Sequence, residues 1–96
     1  MTDAFVVRYR ATAEAAEENQ RLVEAVFAEL DATRPPGLEY AVYRLADGVT
    51  FVHIASGDRD VLGRSAAFQQ FQQGGDARRE TPPEAMAATV VGVYRG

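Results

Sequence analysis

The sequence predicts an α+β fold in the order strand, helix, strand, turn, strand, helix, strand. Residues 5–10 have the period of a strand with two unlike faces, Phe5, Val7 and Tyr9 on one and Val6, Arg8 and Arg10 on the other. Asp47-Gly48 lies between two β-rich runs and predicts a hairpin. An apolar stripe with helical spacing separates these features: Leu22, Val23, Val26, Phe27 and Leu30. This order is the split βαβ pattern of ferredoxin-like folds, an antiparallel sheet with its helices on one face.

The first helix is expected over residues 13–32. Thr12 offers an N-cap, and Glu14, Glu17 and Glu18 place negative charge where the helix dipole favours it. The segment Arg34-Pro35-Pro36-Gly37 ends the helix, because proline lacks the N–H group that a helix interior needs.

The hairpin carries the strongest local prediction in the chain. Asp47-Gly48 suits a two-residue type I′ turn, in which both residues have positive φ and Ala46 pairs with Val49. That register places six residues on one sheet face, in the pairs Arg44 with Phe51, Val42 with His53, and Tyr40 with Ala55. Both sheet faces are largely apolar, so helices should cover one and a second subunit the other.

The second half of the chain predicts one more helix and one more strand. Residues 61–73 form the helix, with Leu62, Phe68 and Phe71 directed inward. A charged return over residues 76–84 contains one helical turn, and the closing strand covers residues 89–95. Gly92 inside that strand suggests a bulge. We expect a single ferredoxin-like domain over residues 1–96.

Composition excludes several classes of protein. With 96 residues and a net charge of −4, nucleic acid and anionic membranes are disfavoured partners. The absence of lysine excludes Schiff-base chemistry, and the absence of cysteine excludes thiolate and zinc–cysteine sites. Asp58 and Asp60 lack further oxygen ligands, so no metal site is expected. The arginine-only, alanine-rich usage suggests a bacterial source, and a cytoplasmic location is expected.

The whole chain resembles the dimeric α/β-barrel superfamily, in particular proteins similar to the antibiotic biosynthesis monooxygenases. The residues that carry this resemblance are Val7-Arg8-Tyr9-Arg10 before an acidic helix, Gly37-Leu38-Glu39-Tyr40, Phe51-Val52-His53-Ile54 and Ala66-Ala67-Phe68. The resemblance implies that two sheets join into one barrel across a homodimer, with a pocket between each sheet and its helices. The activities it implies range from cofactor-free oxygenation of polyphenols to haem degradation and isomerisation.

Departures from the pattern of the haem-degrading branch narrow these activities. In the superfamily that this chain resembles, the haem-degrading branch has an Asn on the first strand, a Trp and a His on a helix. This chain has no Trp, its single Asn is Asn19 in the first helix, and its single His is His53 on a strand. Haem is therefore not expected, and we predict no bound cofactor.

The candidate site centres on His53, the side chain able to change charge near neutral pH. As the catalytic residue it would act as an acid or base on a phenol or an enol. Tyr40 and Arg44 would orient the ligand, while Phe51, Phe68, Phe71 and Gln72 complete the predicted ligand-binding set. The structural alternatives are a histidine hydrogen-bonded in the core or dimer seam, an Arg44 paired at the rim, and phenylalanines that belong to the core.

Two hypotheses of function follow. The first is a small cytoplasmic enzyme, monooxygenase-like or isomerase-like, that acts without a cofactor on a small aromatic or enolisable metabolite. The second is a non-catalytic dimeric module that binds a small ligand or assists a pathway enzyme. A complete catalytic constellation is absent from the sequence, so both stay open.

Overall fold

The computed structural model describes residues 3–96. One four-stranded sheet carries four helices in an α+β arrangement, which confirms the predicted ferredoxin-like subunit. The elements in chain order are β1 Asp3–Arg10, α1 Ala16–Thr33, β2 Leu38–Arg44, β3 Thr50–Gly57, α2 Asp60–Arg64, α3 Ala66–Gln72, α4 Gly75–Arg78 and β4 Glu84–Thr89. The sheet order is β2-β3-β1-β4, and every neighbouring pair is antiparallel.

The side of the sheet that faces the helices holds the core. Because β1 alternates, Tyr9 turns inward beside Phe51 of β3, and their rings stack with centroids 5.6 Å apart. Val23 and Val26 of α1 pack on the same cluster and are buried. Among residues 3–96 no helix packs on the opposite side of the sheet, where Tyr43, Ile54 and Met86 are exposed, and we call this side the open face.

The hairpin register agrees with the prediction, but the turn does not. Arg44 pairs with Phe51 and Tyr40 with Ala55, as expected. The predicted type I′ turn is wrong, because among residues 3–96 Arg34 is the one residue other than glycine with positive φ. Only Gly48 of the turn has positive φ, at 80°.

The side chain of Asp47 explains this difference. Its carboxylate accepts hydrogen bonds from the N–H groups of Val49 and Thr50 at 2.9 Å and from the Thr50 hydroxyl at 2.6 Å. These bonds, the hydroxyl first, lower the pKa of Asp47 to about 2. The carbonyl of Val49 accepts from Ala11 instead of pairing with Ala46, so the ladder closes one residue earlier than predicted.

Both predicted helices have different bounds. Thr12 accepts a hydrogen bond from Ala15 in a turn before α1, so the helix begins at Ala16 rather than Ala13. The second predicted helix is divided at Ser65, whose backbone is extended at ψ 124° and whose hydroxyl accepts from the N–H of Phe68. This break gives α3 its own N-cap and its own direction. The predicted helical turn in the return is α4.

The closing strand lies earlier than predicted, over Glu84–Thr89. Its register begins with Arg8 opposite Glu84 and ends with Asp3 opposite Thr89, where the pairing partner β1 itself begins. Residues 90–96 lie outside the sheet, so the bulge predicted at Gly92 is also wrong. In the part of the chain that the structure describes, no helix has the length and hydropathy to cross a membrane.

Candidate active site

A cavity of about 600 Å³ lies between the helix-covered side of the sheet and helices α2 and α3. This is a volume suited to a small organic ligand. Its walls are mainly apolar and aromatic, with contributions from β1, β2 and β3. Five of the seven predicted site residues line it: Tyr40, His53, Phe68, Phe71 and Gln72.

The two other predicted residues lie elsewhere. Arg44 and Phe51 line a separate cavity of about 290 Å³ on the α1 side of the sheet. The Arg44 guanidinium is held by Glu17 at 2.9 Å, Gln20 at 2.7 Å and the carbonyl of Gly48 at 2.8 Å. Phe51 is 1% exposed and belongs to the core. A role in ligand binding for these two residues stays a prediction.

His53 is joined to a tyrosine through each of its ring nitrogens. The Tyr9 hydroxyl lies 2.8 Å from Nε2, and the Tyr40 hydroxyl lies 2.8 Å from Nδ1. The register makes this possible, because His53 lies opposite Val7 on β1 and opposite Val42 on β2, two residues from each tyrosine on the same face. The arrangement is a continuous line of polar groups across three strands.

This line continues into the helices through two residues that were not predicted. Asn19 of α1 donates from Nδ2 to the Tyr9 hydroxyl at 2.8 Å. Its Oδ1 accepts from Nε of Arg78 in α4 at 3.3 Å. Arg78 also donates to the carbonyls of Phe71 and Gln73, so the guanidinium is fixed by the end of α3. We call these five residues the polar chain: Arg78, Asn19, Tyr9, His53 and Tyr40.

Burial keeps the middle of the polar chain uncharged near neutral pH. Loss of solvation lowers the pKa of His53 to about 4 and raises the pKa of Tyr40 well above its usual value, with a further contribution from Tyr9. Burial also raises the pKa of Tyr9, although Asn19 and the two arginines at 78 and 79 oppose it. All three rings are therefore neutral hydrogen-bonding groups at pH 7.

Aromatic packing fixes the orientation of these rings. Phe71 stacks on His53 at 5.4 Å, and Phe27 stacks on Tyr40 at 5.1 Å between ring centroids. Phe68 meets Tyr40 edge to face at 6.5 Å. Rings held on two sides lose little further rotamer entropy when a ligand binds.

The charged groups at the cavity are cationic. Arg59 lies over the ring of Phe5 at 4.3 Å, and Arg79 lies over the ring of Tyr9 at 5.9 Å while it pairs with Asp76. Among the described residues that line the cavity there is no Asp or Glu. Within residues 3–96, no group of His, Asp and Glu side chains could hold a metal ion.

A sequence signal for Asn19 existed, but none for Arg78. Asn19 is four residues before Val23 and seven before Val26, so it continues the buried stripe of α1 as a polar member. Arg78 lies in a charged return, 59 residues from Asn19, and only the tertiary fold brings the two together.

The sheet order and the one-sided helices define a ferredoxin-like subunit, and solved structures of antibiotic biosynthesis monooxygenase-like proteins have a similar fold. Rv0793 from Mycobacterium tuberculosis superposes with a TM-score of 0.75 at 17% identity, covering 99% of this chain and 100% of that one. A protein described as an antibiotic biosynthesis monooxygenase gives 0.71 at 17% identity, covering 96% and 100%.

A third solved structure is a variant of SnoaB, a cofactor-independent oxygenase from Streptomyces nogalater. It gives a TM-score of 0.66 at 21% identity, with 96% of this chain and 95% of that chain covered. No protein-family model and no curated protein matches the sequence. The resemblance inferred from the sequence is therefore confirmed at the level of the fold.

Proposed function

We propose that this protein is a cofactor-independent, monooxygenase-like or isomerase-like enzyme that acts on a small aromatic or enolisable metabolite. The observation that carries the proposal is the Tyr9–His53–Tyr40 line at the wall of an apolar cavity of about 600 Å³. The fold that it shares with a cofactor-independent oxygenase supports the same reaction class. We also propose a cytoplasmic location, with which the absence of cysteine is compatible.

The chemistry proposed needs an oxygen-bearing ligand held against Tyr40. In the oxygenase form, an activated methylene next to a phenol gives up its two hydrogens and dioxygen is the oxidant. One oxygen atom becomes the new carbonyl and the other leaves as water, so the substrate itself supplies the electrons. In the isomerase form, the α-carbon of a carbonyl ligand loses its proton to solvent water, while Tyr40 donates a hydrogen bond to the enolate oxygen that develops. His53 acts in both forms through Tyr40, because each of its nitrogens is already bonded to a tyrosine.

We also propose that a second copy of the chain covers the open face. Tyr43, Ile54 and Met86 lie there with substantial exposure. Val91 and Tyr94, in the segment after β4, are almost fully exposed as well. An apolar sheet face is suited to association with an identical face across a two-fold axis. The homodimer is the assembly that the resemblance implied.

Oxygen consumption tests the enzyme directly. The protein is incubated with a panel of anthrones and other phenols that carry an activated methylene in air-saturated buffer, with ¹⁸O₂ used to trace the product oxygen. We expect turnover of at least one compound, and Tyr40→Phe should slow it by about 10²–10⁴-fold, the usual contribution of a positioned acid or base. Tyr43→Phe is the matched control, because Tyr43 is on the same strand and the opposite face. An equal loss in both variants would contradict the site.

A ligand-binding module is the second candidate, and one observation favours it. Both ring nitrogens of His53 are occupied, so no free histidine nitrogen touches the cavity. A protein of this kind would bind a phenol without changing it. Stoichiometric binding of a panel compound with no oxygen consumption and no isomerised product would establish the module over the enzyme.

A further inference from the structure

The contact between Arg78 and Asn19 determines which way the Asn19 amide faces. A guanidinium has donors and no acceptor, so the Asn19 atom that lies 3.3 Å from Arg78 Nε must be the carbonyl oxygen. The reversed amide would place two donors against each other in a buried site. The Asn19 NH₂ group therefore faces the Tyr9 hydroxyl at 2.8 Å and donates to it.

The Tyr9 hydroxyl must then donate its own proton to His53. Tyr9 is 5% exposed, and its other polar neighbours, Arg78 and Arg79, are donors. Nε2 of His53, at 2.8 Å, is the acceptor within reach. If His53 carried its proton on Nε2 instead, the buried Tyr9 proton would have no acceptor among the described residues, which is unfavourable for a buried hydroxyl. Nε2 is therefore the acceptor, and the single proton of the neutral ring is on Nδ1.

The last hydrogen bond of the polar chain joins His53 to Tyr40 at the wall of the cavity. Nδ1–H of His53 donates to the Tyr40 oxygen at 2.8 Å, and within residues 3–96 the Tyr40 hydroxyl has no other protein partner. Its own proton is free for a ligand in the cavity that Tyr40 lines. Arg79, which also lines the cavity, has a buried Nε with no hydrogen-bond partner among residues 3–96.

We infer that Arg78 and Asn19 impose one direction on the polar chain, meaning that they fix which group donates and which accepts in each of its hydrogen bonds. Tyr40 therefore presents a hydrogen-bond donor to the cavity. This donor selects ligands with an acceptor oxygen, best a phenolate or an enolate. Arg78 and Asn19 are positioning residues, since they act through Tyr9 and His53. The assignment of the ligand rests on the proposed function, whereas the direction of the hydrogen bonds in the polar chain does not.

The direction of the polar chain can be tested by measuring which ring nitrogen of His53 carries the proton. The protein has one histidine, so ¹⁵N-labelled histidine gives one pair of ring signals. At pH 7 we expect Nδ1 protonated and Nε2 unprotonated. In Asn19→Asp, the carboxylate pairs with Arg78 and accepts from Tyr9, which must then accept from His53. The proton should move to Nε2, and the two ring signals should exchange their protonated and unprotonated character.

Gln70→Glu is the control, because it makes the same amide-to-carboxylate change at an exposed position of α3. It should keep the Nδ1–H form. A wild-type protein with Nε2–H, or a folded Asn19→Asp variant with an unchanged tautomer, would overturn the inference. If Asn19→Asp does not fold, the wild-type spectrum alone still decides the direction.

Binding of 4-nitrophenol tests the ligand. The wild type should bind the phenolate form preferentially, seen as a lowered pKa of the bound dye. Asn19→Asp should bind it at least about tenfold more weakly, because a charge-assisted hydrogen bond of about 1.5–3 kcal/mol is lost. Equal binding by both proteins would overturn the ligand assignment even with the expected tautomer. Absence of turnover in the oxygen assay would contradict the proposed enzyme and leave both results of this test standing.

Discussion

The two faces of the sheet are made by the same strands and are completed in different ways. On β3, Phe51 is 1% exposed beneath the helices, while Ile54, three residues later on the open face, is 38% exposed. The covered face contains the polar chain, in which nearly every group has a partner within the subunit. The open face has exposed apolar side chains at Ile54 and Met86, and the register places Arg8, Glu39 and Glu84 on the same face. The polar network therefore lies where the subunit itself satisfies its hydrogen bonds, whereas the exposed apolar side chains lie on the face where we propose that a second copy packs.

The largest effect on subunit stability should come from the covered face. Phe51→Ala removes a fully buried ring that stacks on Tyr9, so we expect a loss of about 3–5 kcal/mol in the free energy of unfolding. Urea denaturation followed by circular dichroism measures it. Ile54→Ala, on the same strand and the opposite face, is the matched control, and in dilute protein it should cost less. Equal losses would show that the two faces do not differ within the subunit.

A pH titration should sharpen the comparison, because the covered face holds a neutral histidine. The pKa of His53 is about 4 in the folded protein and 6.5 in the unfolded chain, so the unfolded chain binds more protons between these values. Stability should therefore fall by about 3 kcal/mol as the pH drops from 6.5 to 4. Urea midpoints across this range measure it. His53→Gln should remove most of this slope, and a retained slope would assign it to other groups.

The smallest effect on the subunit should come from the open face. Ile54→Glu places a carboxylate at a partly exposed sheet position, where we expect a change under about 1 kcal/mol in the dilute subunit. In the proposed dimer the same carboxylate would be buried without a partner, which should weaken association by about a hundredfold or more. Sedimentation equilibrium should show a dimer for wild type and a monomer for the variant. A wild-type monomer would contradict the proposed assembly.

The sheet could be predicted from the sequence because its signals are local. Period-two alternation predicted the faces of β1, and a loop centred on Asp47-Gly48 predicted the register of β2 against β3, which holds although the turn type does not. The turn differed because the Asp47 carboxylate competes for backbone N–H groups, a contact that dipeptide preference does not contain. The closing strand differed because it is positioned by its pairing with β1, from Arg8 opposite Glu84 to Asp3 opposite Thr89, a contact that its own apolar content does not contain.

The candidate site could be predicted only in part, for the same reason. Tyr40 and His53 come from the hairpin, where register fixes their proximity, and both line the cavity. Arg44 shares their face, but it lies four residues along β2 from Tyr40 and meets α1 instead. Arg78 has no local pattern that distinguishes it from neighbouring arginines, so its place in the polar chain required the complete fold.

The polar chain also bears on the order of folding. Its four hydrogen bonds join residues separated by 59, 10, 44 and 13 positions, and so draw on nearly the full length of the polypeptide. Contacts that close long loops form after local ones, because the loop entropy must be lost first. During synthesis, Arg78 emerges after every other member. The hairpin and α1 can therefore form early, while the direction of the hydrogen bonds in the polar chain is established last. Tyr40 can present its donor to a ligand only when almost all of the protein has folded.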